Sequence, residues 1–239
     1  MKYLVLGPGG MGFYSLVGAL TNVDLTIVEE VSGSSAGSLL GLFVAMEWTV
    51  QEIVDVVMTI NPSEELNGNI WNIFSNWGLF EHDAVKKILY KIFKKKILFK
   101  NLKKKLWISS YNATLCKTEY FSGDTHPDMS VFDAICMSIS IPIIFQPFIM
   151  NEWYYIDGAV GEYLPMHPFA LKPLDDILVV NIDLTEQSIG KPKDFVEFLS
   201  RISKIFLLNK KSRVDCKFIN IPVNEDVFNF NLSIDTKNK

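Results

Sequence analysis

The sequence is poor in the residues that build disulfide frameworks and metal sites. Its cysteines and histidines are Cys116, Cys136, Cys216, His82, His126 and His167. An odd number of distant cysteines provides no disulfide framework and favours a reducing compartment. No His-Glu-x-x-His pair is present, so a catalytic metal site is not expected.

The sequence also lacks a long apolar segment. The N-terminal run Met1 to Gly7 is too short for a signal peptide. The longest uncharged stretch, Ala134 to Asn151, contains Pro142 and Pro147, so a membrane-spanning helix is not expected there. The length of 239 residues and the hydrophobic content of 49% fit a single domain over residues 1–239. We therefore expect a cytoplasmic protein whose membrane contact, if any, is peripheral.

Apolar runs of strand length alternate with segments of helical spacing. This alternation predicts an α/β fold with a mostly parallel sheet and helices on both sides. The apolar run Asp176–Ile182 predicts a central strand covered on both faces. Residues 61–82 are predicted to form a loop, with Trp71, Phe74 and Trp77 as apolar anchors. The predicted strands are Lys2–Leu6, Leu25–Val31, Leu106–Tyr111, Thr118–Phe121, Trp153–Ile156, Asp176–Ile182 and Cys216–Ile221, and the predicted helices are Phe13–Leu20, Ser35–Met46, Val50–Ile60, Asp83–Lys96, Ser130–Ser140 and Phe195–Leu208.

A short motif, G-x-S-x-G, stands between an apolar run and a helical pattern. It is formed by Gly33, Ser34, Ser35, Ala36 and Gly37. In a nucleophile elbow, a serine occupies a strained turn between a strand and a helix, and its hydroxyl is exposed there. Glycines are needed on either side because a Cβ would collide with the neighbouring strand or helix. Ser35 is therefore a candidate nucleophile.

A glycine-rich turn, Gly7 to Gly12, follows the first predicted strand and supports two hypotheses. It matches G-x-G-x-x-G, and Glu29 lies near the end of the second predicted strand, a combination typical of dinucleotide-binding proteins. Consecutive backbone N–H groups at the start of a helix could equally stabilise the oxyanion of a hydrolase. The turn alone leaves both hypotheses open.

Two further stretches complete a recognisable order of motifs. Asp157-Gly158-Ala159 follows a predicted strand, and residues 134–147 read AICMSISIPIIFQP. Together with the glycine turn and the elbow, they resemble the patatin-like phospholipase family of lipid acyl hydrolases, whose blocks are A-S-x-A-x-P-x-x-F-x-P and D-G-G/A. The resemblance covers roughly residues 3–166. Residues 167–239 are expected to complete the sheet and add a helix.

The resemblance implies a three-layer α/β sandwich and a catalytic dyad without histidine. In that scheme Ser35 is the nucleophile and Asp157 its base, and neither a metal nor a cofactor takes part. The oxyanion hole would use the N–H groups of Gly9, Gly10 and Met11. The structural glycines of the motifs would be Gly7, Gly12, Gly33, Gly37 and Gly158. The turn departs from the family pattern at Pro8, which interrupts the glycines, and at Met11, where the family usually has Lys or Arg.

The implied reaction is hydrolysis of fatty acyl esters, of phospholipase A or lysophospholipase type, through an acyl-Ser35 intermediate. A carboxylate with a pKa of about 4 is a weak base, so the scheme requires a desolvated Asp157 hydrogen-bonded to Ser35. A triad of Ser35, Asp157 and His167 is a rival, but that fold normally places several strands before its elbow. A dinucleotide-binding protein and a lipid-binding relative without turnover are two further rival hypotheses.

The charges are segregated along the chain. Ten lysines and no acidic residue lie between Lys86 and Lys105, so the net charge of −4 leaves −14 for the remainder. The pattern over Asp83–Lys96 predicts an amphipathic helix. Its lysines are typical of a solvated face or of contact with an anionic membrane. No nucleic-acid partner is expected, and the substrate would be a phospholipid or another acyl-ester lipid. The apolar residues available for interfacial insertion are Ile88, Leu89, Ile92, Phe93, Ile97, Leu98 and Phe99.

Overall fold

Strands and helices alternate along most of the chain. The computed structural model describes residues 1–61, 66, 71–184, 190–192, 195, 197–198, 201–202 and 215–223. The strands are β1 (Tyr3–Leu6), β2 (Glu30–Gly33), β3 (Gly78–Phe80), β4 (Lys105–Asn112), β5 (Lys117–Phe121), β6 (Ile143–Phe145), β7 (Phe148–Met150), β8 (Trp153–Asp157), β9 (Ile177–Leu184) and β10 (Lys217–Val223). The helices are α1 (Phe13–Ala19), α2 (Ala36–Ala45), α3 (Val50–Met58), α4 (Trp71–Asn76), α5 (His82–Phe93) and α6 (Val131–Ser138).

A mixed sheet in the order β10-β9-β1-β2-β4-β8-β7 forms the centre of the molecule, and β5 also pairs with β4. The strands from β10 to β4 are mutually parallel. β5 and β8 are each antiparallel to β4, and β7 is antiparallel to β8. β3 and β6 form a separate parallel pair. The predicted α/β class with a mostly parallel central sheet flanked by helices is confirmed.

The core is built on β1 and β9, which are neighbours in the sheet. The apolar run predicted burial for β9, and the buried apolar side chains of the two strands are Leu4, Val5, Leu6, Ile177, Leu178, Val179, Val180 and Ile182. α2 packs against β1, β2 and β4. Nearly all of its residues are buried, which fits a helix that is apolar on every face. The elbow motif therefore lies at the junction between the central strands and a buried helix.

The predicted strand Leu25–Val31 is wrong in its first half. Leu25–Ile27 form a 3-10 turn, and β2 begins only at Glu30. The side chain of Asp24 accepts a hydrogen bond from the N–H of Thr26 (3.0 Å). Such a local bond from an aspartate favours a turn over an extended strand.

The predicted loop over residues 61–82 is also wrong in part, because α4 and β3 lie within it. Its proposed anchors, Trp71, Phe74 and Trp77, are exposed rather than packed in the core. Most of the predicted helix Phe195–Leu208 lies outside the described residues. The last predicted strand is confirmed as β10. Among the described residues, none of the helices is both long and apolar enough to cross a bilayer.

The close approach of α2 to β1 yields a prediction for two glycines. A Cβ at Gly37 would lie 2.2 Å from the backbone oxygen of Leu6, whereas a Cβ at Gly18 in α1 would meet no atom within 4 Å. Gly37→Ala should therefore lower the free energy of unfolding by roughly 1–3 kcal/mol or more. The control Gly18→Ala should raise it by about 0.5–1 kcal/mol. Urea unfolding of both variants measures the difference, and a Gly37→Ala protein as stable as wild type would contradict the packing.

Candidate active site

Ser35 occupies a strained turn between β2 and α2. Its backbone has φ 52° and ψ −124°, a conformation that non-glycine residues rarely adopt and that recurs at functional sites. A Cβ at Gly33 would lie 2.4 Å from the backbone oxygen of Gly37, so both glycines of the motif are required sterically. The predicted strand–turn–helix setting is therefore present around Ser35.

Asp157 ends β8 and is fully buried. Its Oδ1 accepts a hydrogen bond from the N–H of Ala159 (2.9 Å), and its own N–H donates to the backbone oxygen of Ser140 (2.9 Å). Burial raises the pKa of Asp157 to about 7, although hydrogen bonding by Ser35 and by the Ala159 N–H acts to lower it. A carboxyl group with this pKa can act as a base near neutral pH.

The Ser35 and Asp157 side chains are brought together at the site. The hydroxyl of Ser35 is close enough to the carboxylate to lower the pKa of Asp157. Oδ2 of Asp157 is buried and accepts no hydrogen bond from the described residues. The short bond expected between the two side chains is therefore not formed in standard geometry. Catalytic hydrogen bonds are often long in unliganded sites, which leaves Oδ2 as the candidate acceptor of the serine proton.

The glycine turn lies beside Ser35. Gly10 has φ 51°, and the N–H of Gly12 closes the turn by donating to the oxygen of Gly9 (2.8 Å). Gly10 and Met11 line the same cavity as Ser35. Within the described residues, no backbone acceptor pairs with their N–H groups. Gly9 lies against the core instead, since a Cβ there would be 2.4 Å from Cδ1 of Ile182.

A residue that sequence reasoning missed, Ser138, supports the elbow. Its Oγ accepts a hydrogen bond from the N–H of Ser35 (2.8 Å) in a fully buried position at the end of α6. Two residues later, the backbone oxygen of Ser140 binds the N–H of Asp157. The end of α6 and the residues directly after it therefore contact the backbones of both Ser35 and Asp157. Its position in the AICMSISIP block was the available signal, but the pattern alone did not show what the serines would contact.

An apolar cavity of about 150 Å³ is lined in part by Ser35. Its wall is formed by α2, α3, α5, α6 and the residues around them, and almost every lining side chain is aliphatic or aromatic. The lining residues are Gly10, Met11, Phe13, Tyr14, Ser35, Ala36, Leu39, Phe43, Val57, Ile60, Leu66, Val85, Ile88, Leu89, Ile92, Ile135, Ile139, Ile141 and Phe145. A site of this kind accommodates a hydrocarbon chain next to the serine hydroxyl.

The apolar face of α5 contributes to this cavity. Ile88, Leu89 and Ile92 line it, while Phe93 and Phe99 are buried in the core. The prediction that these side chains insert into a bilayer is therefore wrong for the buried members, because they already pack inside the protein. The amphipathic pattern itself was correct, and its apolar face points to the protein interior.

His167 is not brought to the site. It is exposed, and its ring stacks on Tyr120 with a centroid separation of 5.9 Å. Its backbone N–H donates to Oε1 of Glu162 (3.1 Å). The rival triad with Ser35 and Asp157 is therefore not assembled. In the part of the chain that the structure describes, no three His, Cys, Asp or Glu side chains are grouped to hold a metal ion.

The order and geometry of these elements match a known family. A family model described as Patatin-like phospholipase matches residues 4–170. The chain belongs to the patatin-like phospholipase family. The resemblance inferred from the four motifs is thereby confirmed.

The relatives include viral proteins. The patatin-like chain is 32% identical over 179 residues to "Probable lipid hydrolase 463L" of Invertebrate iridescent virus 6, a match that covers 69% of this chain and 62% of that protein. It is 26% identical to "Uncharacterized protein R571" of Acanthamoeba polyphaga mimivirus, over 100% of this chain and 89% of that one. The chain thus spans less than two thirds of the iridescent-virus relative.

A bacterial protein shares the fold. The crystal structure of VipD from Legionella pneumophila aligns with a TM-score of 0.58 at 15% identity, covering 99% of this chain and 66% of that one. At this identity the likeness concerns the fold alone.

The pKa of Asp157 predicts how stability depends on pH. The folded protein binds the carboxyl proton up to about pH 7, whereas the unfolded chain releases it near pH 4. The free energy of unfolding should therefore fall as pH rises from about 4 to about 7. Asp157→Asn should remove this contribution, so that its stability relative to wild type increases by on the order of 2–4 kcal/mol between pH 4 and pH 8. Denaturant unfolding at both pH values tests this, and parallel pH profiles would contradict it.

The bond from Ser35 to Ser138 predicts a second effect. Ser138→Ala leaves the buried N–H of Ser35 without its acceptor, which should cost about 1–3 kcal/mol of stability and lower serine reactivity. Ser130→Ala is the matched control, because Ser130 precedes the same helix and its side chain makes no capping bond. Thermal unfolding and probe-labelling rates measure both effects. Equal behaviour of the two variants would show that Ser138 does not support the elbow.

Proposed function

We propose that this protein is a serine lipid acyl hydrolase that cleaves fatty acyl esters of phospholipids or related lipids. One observation carries the proposal: Ser35, on a strained elbow near the buried carboxyl of Asp157, lines an apolar cavity. Membership of the patatin-like phospholipase family and the name of the iridescent-virus relative support the same reaction.

The proposed reaction begins with transfer of the Ser35 proton to Asp157. The serine oxygen attacks the ester carbonyl, and the resulting oxyanion accepts hydrogen bonds from the N–H groups of Gly10 and Met11. Each such donor is worth about 2.7–4 kcal/mol in the transition state. Collapse of this tetrahedral intermediate expels the alcohol, which takes the proton from Asp157. An acyl-Ser35 remains. Water, activated by the same carboxylate, then releases the fatty acid.

The cavity supplies the binding energy for the acyl chain. Each methylene that leaves water for an apolar wall contributes about 0.8 kcal/mol. The wall near Ser35 carries no charged side chain, so the carboxylate product is less well accommodated than the neutral ester. These features favour an acyl-ester substrate of phospholipase A or lysophospholipase type.

The two rival functions make different demands on the site. A dinucleotide would need a polar cleft at the glycine turn, but the cavity there is apolar, and Glu29 pairs with Lys2 (2.8 Å) at the surface. A lipid-binding relative without turnover would keep the cavity but would not need a carboxyl with a raised pKa next to the serine. The preserved pair of Ser35 and Asp157 therefore favours an active hydrolase.

The lysine-rich segment gives this proposal a membrane component. Some of its lysines are engaged within the protein: Lys86, Lys100 and Lys105 pair with Asp133, Asp128 and Asp124, and Lys104 donates to backbone oxygens. Other lysines of the segment project into solvent, namely Lys87, Lys94, Lys95, Lys96 and Lys103. Lysines near an anionic lipid surface contribute about 1 kcal/mol each, so this set would strengthen peripheral contact.

A fluorophosphonate probe tests the nucleophile and the base together. Wild type should be labelled, Ser35→Ala should not, and Asp157→Asn should be labelled roughly 10²–10⁴-fold more slowly because the base is lost. Release of fatty acid from phosphatidylcholine and lysophosphatidylcholine by the same proteins reports turnover. Folded wild type that is neither labelled nor active would count against the hydrolase and favour the lipid-binding relative.

His167→Ala is the matched control in the same series. Its side chain lies away from Ser35, so the variant should retain wild-type labelling and turnover. If His167→Ala abolished labelling and turnover in a folded protein, the dyad would be contradicted and the triad supported, whereas full activity of Asp157→Asn would contradict both schemes. Nicotinamide or flavin binding by a fully active Ser35→Ala protein would instead support the dinucleotide hypothesis.

A further inference from the structure

A group of large apolar side chains is exposed on and beside α4. Trp71, Phe74 and Trp77 are 72%, 69% and 59% exposed, and Ile149 on β7 is 58% exposed. We call Trp71, Phe74, Trp77, Tyr154 and Ile149 the aromatic surface. Single exposed apolar residues are ordinary, but a connected group of this kind marks an interaction site.

The members of the aromatic surface form two groups, Trp71 with Phe74 and Trp77 with Tyr154 and Ile149, and Trp77 directly follows the last residue of α4. The rings of Trp71 and Phe74 are 6.2 Å apart, and the ring of Trp77 lies 5.3 Å from that of Tyr154. Tyr154 on β8 is directly opposite Ile149 on β7. The surface therefore extends from α4 across the edge of the central sheet.

The backbone holds the aromatic surface in place. Trp77 has φ 64°, a left-handed conformation that is strained for a bulky residue and that persists only where the surroundings impose it. The next residue, Gly78, is packed so tightly that a Cβ would lie 2.2 Å from the carbonyl carbon of Phe145. The exposure of Trp77 is thus a feature of an ordered turn and not of a loose chain end.

The same packing places the aromatic surface next to the cavity. β3, which follows Trp77, pairs with β6, and the rings of Phe80 and Phe145 are 5.7 Å apart. Phe145 lines the same cavity as Ser35. One short strand therefore separates the exposed indoles from the wall of the proposed acyl site.

We propose that the aromatic surface docks the protein on a lipid bilayer, with its side chains in the interfacial region near the Phe145 wall of the cavity. This inference rests on the proposed function, because an acyl-ester lipid reaches the cavity from a bilayer. Residues 71–80 carry no charge, so they enter an interface without burying an ion. Indole and phenol rings favour the headgroup region because each has an apolar body and a polar tip. The exposed lysines of α5 and the following loop complement anionic headgroups.

Vesicle binding by a protein that cannot turn over tests the docking surface. In the Ser35→Ala background, the change is the triple substitution Trp71→Ala, Phe74→Ala and Trp77→Ala, and the readout is sedimentation with phosphatidylcholine vesicles, with and without phosphatidylserine. Partitioning should weaken by at least about tenfold for both compositions, which corresponds to about 1.4 kcal/mol. Quenching of tryptophan fluorescence by brominated phosphatidylcholine should fall in parallel.

Two comparison variants separate the aromatic contribution from other effects. Leu171 is 99% exposed and lies outside the aromatic surface, so Leu171→Ala should bind vesicles as the parent does. Replacing Lys94, Lys95 and Lys96 with Gln should weaken binding only to vesicles with phosphatidylserine, and that loss should disappear at high salt. Thermal unfolding confirms that each variant is folded.

Unchanged vesicle partitioning in the folded triple variant would overturn the proposal. A parent that is dimeric and a triple variant that is monomeric by sedimentation velocity would also overturn it, by assigning the surface to a second copy of the chain. Failure of the proposed reaction is a separate result. It would appear as absent probe labelling of the wild-type protein, whereas vesicle binding is measured on a variant without turnover.

Discussion

The contact of α2 with β1 at Gly37 is the constraint on which the site depends. A Cβ at this position would overlap the backbone of Leu6, so only glycine lets the helix begin directly above the strand. That proximity forces the connecting residue into the left-handed turn seen at Ser35. The strain at Ser35 is held by the packing of the most buried elements of the core, which is why Ser35 sits on a rigid support.

A second constraint comes from the burial of Asp157. Removing a carboxyl group from water raises its pKa, and here the nearby Ser35 hydroxyl and the N–H of Ala159 offset part of that shift. Ser138 and Ser140, which follow one another closely at the end of α6, bind the backbones of Ser35 and Asp157. The relative position of Ser35 and Asp157 is thus fixed by a third segment. The ionisation of Asp157 couples stability to reactivity. The ionised carboxylate can act as a base, but its burial lowers the free energy of unfolding at the pH where it is ionised.

Local sequence was sufficient for those features that depend on local geometry. The elbow at Ser35 requires a fixed pattern of small residues, and the buried strand β9 requires an apolar run, so both could be predicted. The turn at Leu25–Ile27 was missed because a side-chain bond from Asp24 outweighed strand-like composition. The contacts of Ser138 and the exposure of Trp71 depend on residues distant in sequence. No periodicity contains that information, because it arises from how separate segments pack.

The amphipathic pattern of α5 is compatible with two locations of its apolar stripe, in a membrane or in the protein interior. A basic helix with an apolar stripe suggests insertion into a membrane, but the stripe forms the wall of the cavity at Ser35. In the proposed docking, the apolar groups that enter the bilayer are therefore the exposed side chains on and beside α4 rather than the stripe of α5. Lysines on α5 attract headgroups over a longer range than apolar contacts can act, so charge would orient the molecule before the aromatic side chains insert.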